Sequence, residues 1–354
     1  MKLAVIIVDG MAEGDALFDG NISSYAKSLS SLSRGLIETI PRGYSPETKP
    51  CVLNIMGAET SSLELGRSYF EGLCVGAVPK RDEGIFRLNL CQIDEYGRLC
   101  SFNGGCLSDY EMERIFEEIS KSFPFVFPLS CYRAVGILEQ TVLGESPLSL
   151  APHDNLGKGY DALIQENIGD NENFLAIISK INSFLSSLVA SRSSYLRIFP
   201  YARAEAREIK PFSKLYGKSP ALIADFETVV GIGKALSFDF PRQSSLPKTL
   251  EEKRELFFDA LDGDNKIIFL HINDLDEISH KKDRQGKIDF LSEINDKIFS
   301  PIISEERLYT LILPDHISSS KSGTHKFGKV PYFTNLPLSR ELTIDMLHKI
   351  YKQI

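Results

Sequence analysis

Side chains of the kinds that hold divalent metal ions recur at the ends of apolar runs in this chain. Val8 leads straight into Asp9, His271-Ile-Asn leads to Asp274 and Asp276, and Leu313-Pro leads to Asp315 and His316. His280 follows Asp276 at i, i+4, so a helical turn there puts both on one face, where they can chelate one ion. Asp315 and His316 are neighbours that would point apart along a strand, but at a strand end they can serve two sides of a two-ion site. His325 follows in a Ser/Gly loop. Carboxylates and imidazoles without a thiolate suit Zn²⁺ or Mn²⁺ better than Ca²⁺. A single strand-end Asp is more often a cap or turn former, and a single His more often a surface residue. It is the gathering of histidines at 271, 280, 316 and 325, three of them in Asp-containing clusters, that favours a metal site.

For these residues to meet, the runs before them must lie side by side. Leu3–Val8 (LAVIIV), Lys266–Ile272 (KIIFLHI) and Leu308–Leu313 (LYTLIL) are continuous apolar runs between turn residues, the pattern of strands buried on both faces of a parallel sheet. Helical periodicity is read over Ser24–Leu36, Glu251–Leu261, Lys287–Ile298 and Arg340–Ile354. Strands alternating with helices predict an α/β sandwich with a mostly parallel central sheet, whose ligands bind beyond the carboxyl ends of the strands. The middle of the chain differs. FRLNLCQID, GRLCSFNGG, FVFPLSCYRAVGILEQ and an amphipathic stretch over Glu111–Ser122 read as a smaller α+β cap, with a further helix over Asn171–Ser191. The expected division is a discontinuous sheet domain, residues 1–84 and 196–354, with residues 85–195 inserted as the cap. Ser-rich patches (SSYAKSLSSLS, SSSKSG) read as surface or loop.

Composition narrows the function. At 354 residues and 43% hydrophobic the chain can build two domains or one large core with an insertion. Its formal charge of -8, with 40 Lys and Arg among 48 Asp and Glu, gives no basic stripe to track a nucleic-acid backbone. No apolar run approaches the roughly 20 residues of a membrane helix, and the first one meets Asp9 early, so it reads as a buried strand and not a signal peptide. The six cysteines contain no C-x-x-C, and a chain of this size needs no disulfide staples, which makes a reducing cytoplasm the simpler expectation.

VIIVDGMAEG, LNIMGAE, LGRSYFEGLCVGA, FRLNLCQID, CYRAV, APHDNLGK, KLYGKSPALIADFETVVGIGKAL, HINDLDEISH, LPDHISS and GTHKFGKVPYF span nearly the whole chain, and in this order they resemble the archaeal-type cofactor-independent phosphoglycerate mutases of the alkaline phosphatase superfamily. The resemblance implies an alkaline-phosphatase-like sandwich with an inserted cap and two divalent cations, Mn²⁺ or Zn²⁺, with Mg²⁺ or Co²⁺ possible. It implies one ion on Asp276, His280 and His325, and the other on Asp9, Asp315, His316 and the nucleophile. Counting back without a gap from LNI places that nucleophile at Thr48, with Ser45 as the alternative hydroxyl. It also implies phosphate or substrate contacts from Arg133, from His153 and Asp154, and from the Arg203 and Arg207 region, where the spacing has shifted. The pocket departs from the family at Lys49, where an acid is usual, and at Pro50, Val52, Cys106 and Ala134; Lys49 is read as offsetting negative charge near the phosphoryl group, and Cys106 as a small buried residue. The implied activity is interconversion of 3- and 2-phosphoglycerate through a phosphothreonine. The alternative is a phosphomonoesterase or phosphotransferase acting on another small phosphorylated metabolite.

Overall fold

The computed structural model describes residues 1–188, 195–241 and 245–354. In chain order the strands are β1 (Lys2–Val8), β2 (Ser33–Ile37), β3 (Glu83–Ile93), β4 (Leu99–Ser101), β5 (Val126–Pro128), β6 (Arg133–Glu139), β7 (Leu196–Glu205), β8 (Ala221–Ile223), β9 (Ile267–Ile272), β10 (Leu308–Leu313), β11 (Ile317–Ser319), β12 (Thr324–Lys326) and β13 (Val330–Thr334). The chain divides into two compact units, Met1–Glu64 with Ile209–Ile354, and Leu65–Glu208.

The larger unit is built on a six-stranded sheet in the order β2-β13-β10-β1-β9-β8. β10, β1, β9 and β8 run parallel, while β13 and β2 add antiparallel pairs at one edge. The three apolar runs are therefore adjacent in space, with Ile7 opposite Leu313 on one side and His271 on the other. Alternation along the strands sends Ile6, Leu270 and Ile312 to a layer containing Phe257, Leu291 and Ile298. Phe269 faces the other way, against the rings of Phe238, 5.2 Å away, and Tyr351, 5.8 Å away. The helix Leu250–Asp262 starts on a capping box between Thr249 and Glu252, and Ile344–Gln353 starts on Thr343. The α/β class and the mostly parallel sheet are as the sequence pattern predicts.

The helix expected over Ser24–Leu36 does not form. Ile22–Tyr25 is one short turn, Lys27–Ser31 is 3-10 helix, and Ser33 onward is strand β2. Two serines in this stretch spend their hydroxyls on nearby carbonyls, Ser30 on Lys27 and Ser31 on Ser28, which favours tight turns over a regular helix. Gly35 then lets Tyr332 of β13 lie against β2, since a Cβ there would meet the Tyr332 hydroxyl at 2.4 Å.

The smaller unit holds a five-stranded antiparallel sheet, β4-β3-β6-β5 with β7 also on β3. The helices Asp109–Ser122, Tyr160–Ile168 and Glu172–Leu188 contribute Phe116, Ile119, Leu163, Phe174, Ile178 and Leu185 to its core. The unit is wider at both ends than residues 85–195. The strand at Leu196, read as the return to the larger sheet, pairs with β3 from Gln92 back to Gly84, and Arg67–Cys74 packs on β3 and β7. The end of the helix expected to reach Ser191 lies outside the described residues. Cys106 is exposed, not buried, because Gly104 and Gly105, at φ +77° and +68°, turn the chain at the surface just before the Ser108 cap. Among the described residues, no helix is long and apolar enough to cross a membrane.

Candidate metal centre

At the carboxyl end of β1 the chain turns at Gly10, whose φ is +83°. A Cβ there would sit 2.2 Å from the backbone nitrogen of Asp276, so only glycine lets the loop after β1 rest on the start of the helix Asp274–His280. This close approach places Asp9 beside the Asp276 helix. β10 delivers Asp315 and His316 on the opposite side of β1, and the short hairpin β11–β12 returns the chain so that His325 faces Ser318 in register.

The acids and imidazoles fall into two groups, each of whose ligand atoms lie within 4.8 Å of one another: Asp276, His280 and His325, and Asp9, Asp315 and His316. In the first, His280 Nε2 lies 3.2 Å from Asp276 Oδ2, His325 Nε2 lies 3.2 Å from Asp276 Oδ1, and the two Nε2 atoms are 3.1 Å apart. Donor atoms about 2.0–2.1 Å from a tetrahedral ion are separated by about 3.3–3.4 Å, close to each of these three spacings, although the two histidines meet different oxygens of Asp276. His280 Nδ1 lies 2.9 Å from the carbonyl of Gly323. A carbonyl only accepts, so Nδ1 carries the proton and the Nε2 lone pair is left for an ion. Burial pushes Asp276 up, but hydrogen bonds from His280, His325 and Ser318 outweigh it and hold the carboxyl well below its usual range. The same Asp276 contact raises His280 to about 9.

The second group is fully buried. His316 Nε2 lies 3.4 Å from Asp315 Oδ2 and 3.6 Å from Asp9 Oδ1. Asp9 Oδ1 and both Asp315 oxygens receive no hydrogen bond from the described residues. Burial pushes both carboxyls up, Asp9 well above its usual value with its neighbour Asp315 adding to the effect, and burial pushes His316 down. Two carboxylates out of water with unused lone pairs are costly unless a cation neutralises them, so the donor set fits a divalent ion.

Thr48 joins this group from the first turn of the helix Thr48–Ile55: its hydroxyl donates to Asp9 Oδ2 at 3.0 Å and lies 3.4 Å from His316 Nε2. Pro50 is tolerated because first-turn N–H groups have no partner within the helix. Ser45 is exposed in the preceding loop. Lys49 extends its ammonium to the carbonyl of Leu63 at 3.0 Å, and burial lowers its pKa.

The remaining residues expected to contact substrate lie in the smaller unit. Arg133 Nη1 is 3.8 Å from the buried Glu71, which also meets Arg67 Nε at 2.8 Å and Arg87 Nε at 2.9 Å. Burial would raise Glu71, but Arg87, Arg67 and Arg133 outweigh it and keep the carboxyl ionised. His153 and Asp154 are half exposed or more, 3.6 Å apart, with the His153 ring against Phe102. Arg203 donates to the carbonyls of Gly144 and Ser146 and to Gln140, contacts that belong to the sheet edge and not to an open site. Arg207 offers its carbonyl to the Tyr69 hydroxyl.

Comparison with known proteins finds relatives over most of the chain. The family model described as 2,3-bisphosphoglycerate-independent phosphoglycerate mutase matches residues 32–188. A protein of that name from Methanosarcina acetivorans is 26% identical over 360 residues, covering 94% of this chain and 90% of its own. A probable one from Geobacter sulfurreducens is 23% identical, with 94% and 90% covered. Along nearly its whole length the chain is similar to proteins named as 2,3-bisphosphoglycerate-independent phosphoglycerate mutases. Solved structures agree on the fold. The cofactor-independent phosphoglycerate mutase of Thermoplasma acidophilum superposes with a TM-score of 0.59 at 14% identity, covering 100% of this chain and 99% of that one. A solved Pyrococcus horikoshii protein reaches 0.68 at 18%, covering 94% and 87%.

Next to these acids and imidazoles lies a support that sequence reading missed. Glu13 and Lys287, both buried, pair at 2.7 Å. Lys287 also donates to the carbonyls of Ala12 and Ser318, and Glu13 accepts from Ser319 Oγ, from Ser320 N and Oγ, and from Lys321 N. The first three serines of SSSKSG, a stretch read as surface, are thereby buried and tie the hairpin to the loop after β1, while Ser322 is exposed. The signal that was available is an acid placed four residues after Asp9 on the same loop.

Proposed function

We propose that this protein interconverts 3- and 2-phosphoglycerate, with Thr48 as the nucleophile and two divalent cations, Mn²⁺ or Zn²⁺, held by Asp276, His280 and His325 and by Asp9, Asp315, His316 and Thr48. The observation that carries this reading is the Thr48 hydroxyl, aimed at Asp9 Oδ2 from the first turn of a helix and within reach of His316. Two bound cations would supply charge neutralisation of the phosphoryl group and of the oxygens entering and leaving it. Asp9 accepts the hydrogen bond of the Thr48 hydroxyl and so orients its oxygen lone pair toward phosphorus. As the new Thr48 O–P bond forms and the substrate P–O bond breaks, the hydroxyl proton passes to Asp9 Oδ2, and one proton is returned to the departing glycerate oxygen, so none is gained or lost overall. In the second half the other glycerate hydroxyl attacks the phosphothreonine and regenerates Thr48. The helix N-terminus favours the negative charge of the phosphorylated side chain. Arg133, which the resemblance assigns to substrate recognition, lies with Arg67 and Arg87 around Glu71, and a guanidinium has the forked donors that suit a carboxylate or phosphate.

The second reading is a phosphomonoesterase or phosphotransferase acting on another small phosphorylated metabolite. It is favoured by Lys49, which stands where the resemblance expects an acid and turns its ammonium to the carbonyl of Leu63, and by the engagement of Arg203 with backbone carbonyls. The two are separated by incubating the metal-loaded protein with 3-phosphoglycerate and following phosphorus NMR. Appearance of 2-phosphoglycerate supports the mutase, phosphate alone supports the hydrolase, and no turnover of phosphoglycerate excludes the first reading.

A further inference from the structure

One buried hydroxyl touches both metal groups. Ser318, at 1% exposure in β11, lies 2.5 Å from Asp276 Oδ1 and 3.1 Å from His316 Nδ1. The rings of His316 and His325 approach within 4.1 Å at this point, so Ser318 stands where the groups adjoin. A serine hydroxyl has a single proton and two lone pairs. Asp276 is an ionised carboxylate that only accepts, so that proton goes to Asp276 Oδ1. The contact with His316 is then satisfied only if the imidazole Nδ1–H donates to Ser318 Oγ. A neutral imidazole with its proton on Nδ1 has its lone pair on Nε2, the atom that faces Asp9, Asp315 and Thr48.

We infer that Ser318 is a positioning residue that fixes the His316 tautomer and ring orientation required for metal binding, and thereby links the charge on Asp276 in one group to the ligand geometry of the other. The inference rests on the proposed two-metal reading of the site. The serine is itself held from the backbone side, because Lys287 Nζ donates to its carbonyl at 2.7 Å and its amide donates to the carbonyl of Ala12 at 3.0 Å. Sequence alone does not reveal the role, since a serine two residues beyond a strand-end histidine has no special type or spacing.

Two measurements test it. In the metal-free wild-type protein, long-range proton–nitrogen correlation spectra of ¹⁵N-histidine-labelled material should show His316 protonated on Nδ1; a proton on Nε2 overturns the inference without any variant. Titration with Zn²⁺ should then show two equivalents for wild type and Ser318→Thr, which keeps the hydroxyl. Ser318→Ala should bind the ion of the Asp9, Asp315 and His316 group about 10- to 100-fold more weakly, the usual effect of losing an outer hydrogen bond to a ligand, and His316 should no longer be confined to the Nδ1–H form. Two full-affinity equivalents in Ser318→Ala, with His316 unchanged, would show that the serine merely fills space. Loss of folding in Ser318→Ala leaves the wild-type spectrum and the Ser318→Thr titration to decide. Failure of the wild type to bind two ions overturns the metal reading instead, while the tautomer is still determined.

Discussion

Replacing Lys287 by methionine removes one half of a buried ion pair and leaves the other in place. Lys287 and Glu13 are both essentially without solvent contact and pair at 2.7 Å. Breaking such a pair from one side costs about 3–5 kcal/mol, because the remaining charge stays buried. Glu13 keeps hydrogen bonds from Ser319, two from Ser320 and one from Lys321, so Lys287→Met should fall near the low end, about 3 kcal/mol. Glu13→Gln should cost more, about 4–5 kcal/mol: it leaves a buried ammonium with no ionised partner at 2.7 Å, and whichever way its amide is turned the NH₂ faces a donor, Ser320 on one side or Lys321 on the other. The double variant should lose less than the sum of the two by about 1–3 kcal/mol. Urea unfolding of metal-free protein followed by far-ultraviolet circular dichroism measures this, the chain having no tryptophan to report by fluorescence. Acid adds a second signature. Burial alone would raise Glu13, but Lys287 and Ser320 outweigh it and depress its folded pKa. The stability it contributes is therefore present above the unfolded value of about 4.3 and lost as pH falls through the lower folded value. Lys287→Met should shrink that acid-dependent component. Single variants within about 1 kcal/mol of wild type, or a strictly additive double, would refute the account of a clamp beneath the metal loops.

Three further outcomes are expected. Thr48→Ala should abolish phosphoenzyme formation and turnover with near-intact metal content while Thr48→Ser retains both, as read by mass spectrometry of protein quenched with substrate; turnover in the alanine variant rules Thr48 out as nucleophile. His280 is raised to about 9 by Asp276 in the metal-free protein, so its contribution to stability is complete below the unfolded value of about 6.5 and fades as pH rises through 9. Zn²⁺ binding at pH 7.5 should accordingly displace a proton from this imidazole, seen by calorimetry in buffers of differing ionisation enthalpy, and a buffer-independent heat would contradict it. Gly10→Ala combines a left-handed backbone, costing about 1–2 kcal/mol, with a Cβ 2.2 Å from Asp276 N; metal titration should show weakened binding, and unchanged affinity would mean that the close approach of the two loops does not matter.

What the sequence made legible follows from which constraints leave a mark on residue type. β1, β9 and β10 are covered on both faces, so nearly every position is apolar and the runs stand out whole. β2 lies at the edge with Arg34 and Leu36 partly in solvent, and serine turns precede it, so its pattern mimicked one face of a helix. The cap boundary was hidden for a related reason: β7 is as apolar as a strand of the larger sheet, and only its pairing with β3 assigns it. Arg203 had the right type for phosphate recognition, but guanidiniums bind backbone carbonyls just as readily, and the spacing does not record which partner is near.

Ligands and their supports differ in the same way. A metal shell demands Asp and His together, and their gathering after several apolar strands is uncommon, so Asp9, Asp276, His280, Asp315, His316 and His325 could be picked out by type and position. The residues that hold them can be any donor or acceptor of suitable length, and Glu13, Lys287 and Ser318 are common types on segments that read as loop or solvated helix. Lys287 sits within an amphipathic stretch where a lysine is ordinarily the wet face, and burial reverses that expectation only because Glu13 arrives from the loop after β1, far away in sequence. The burial of two carboxylates with unsatisfied oxygens at Asp9 and Asp315 is affordable in the folded chain only if something neutralises them, and the Thr48 hydroxyl alone does not. The clamp beneath and the cations above are thus two halves of one requirement: the first fixes where the negative charges are held, and the second makes it favourable to hold them there.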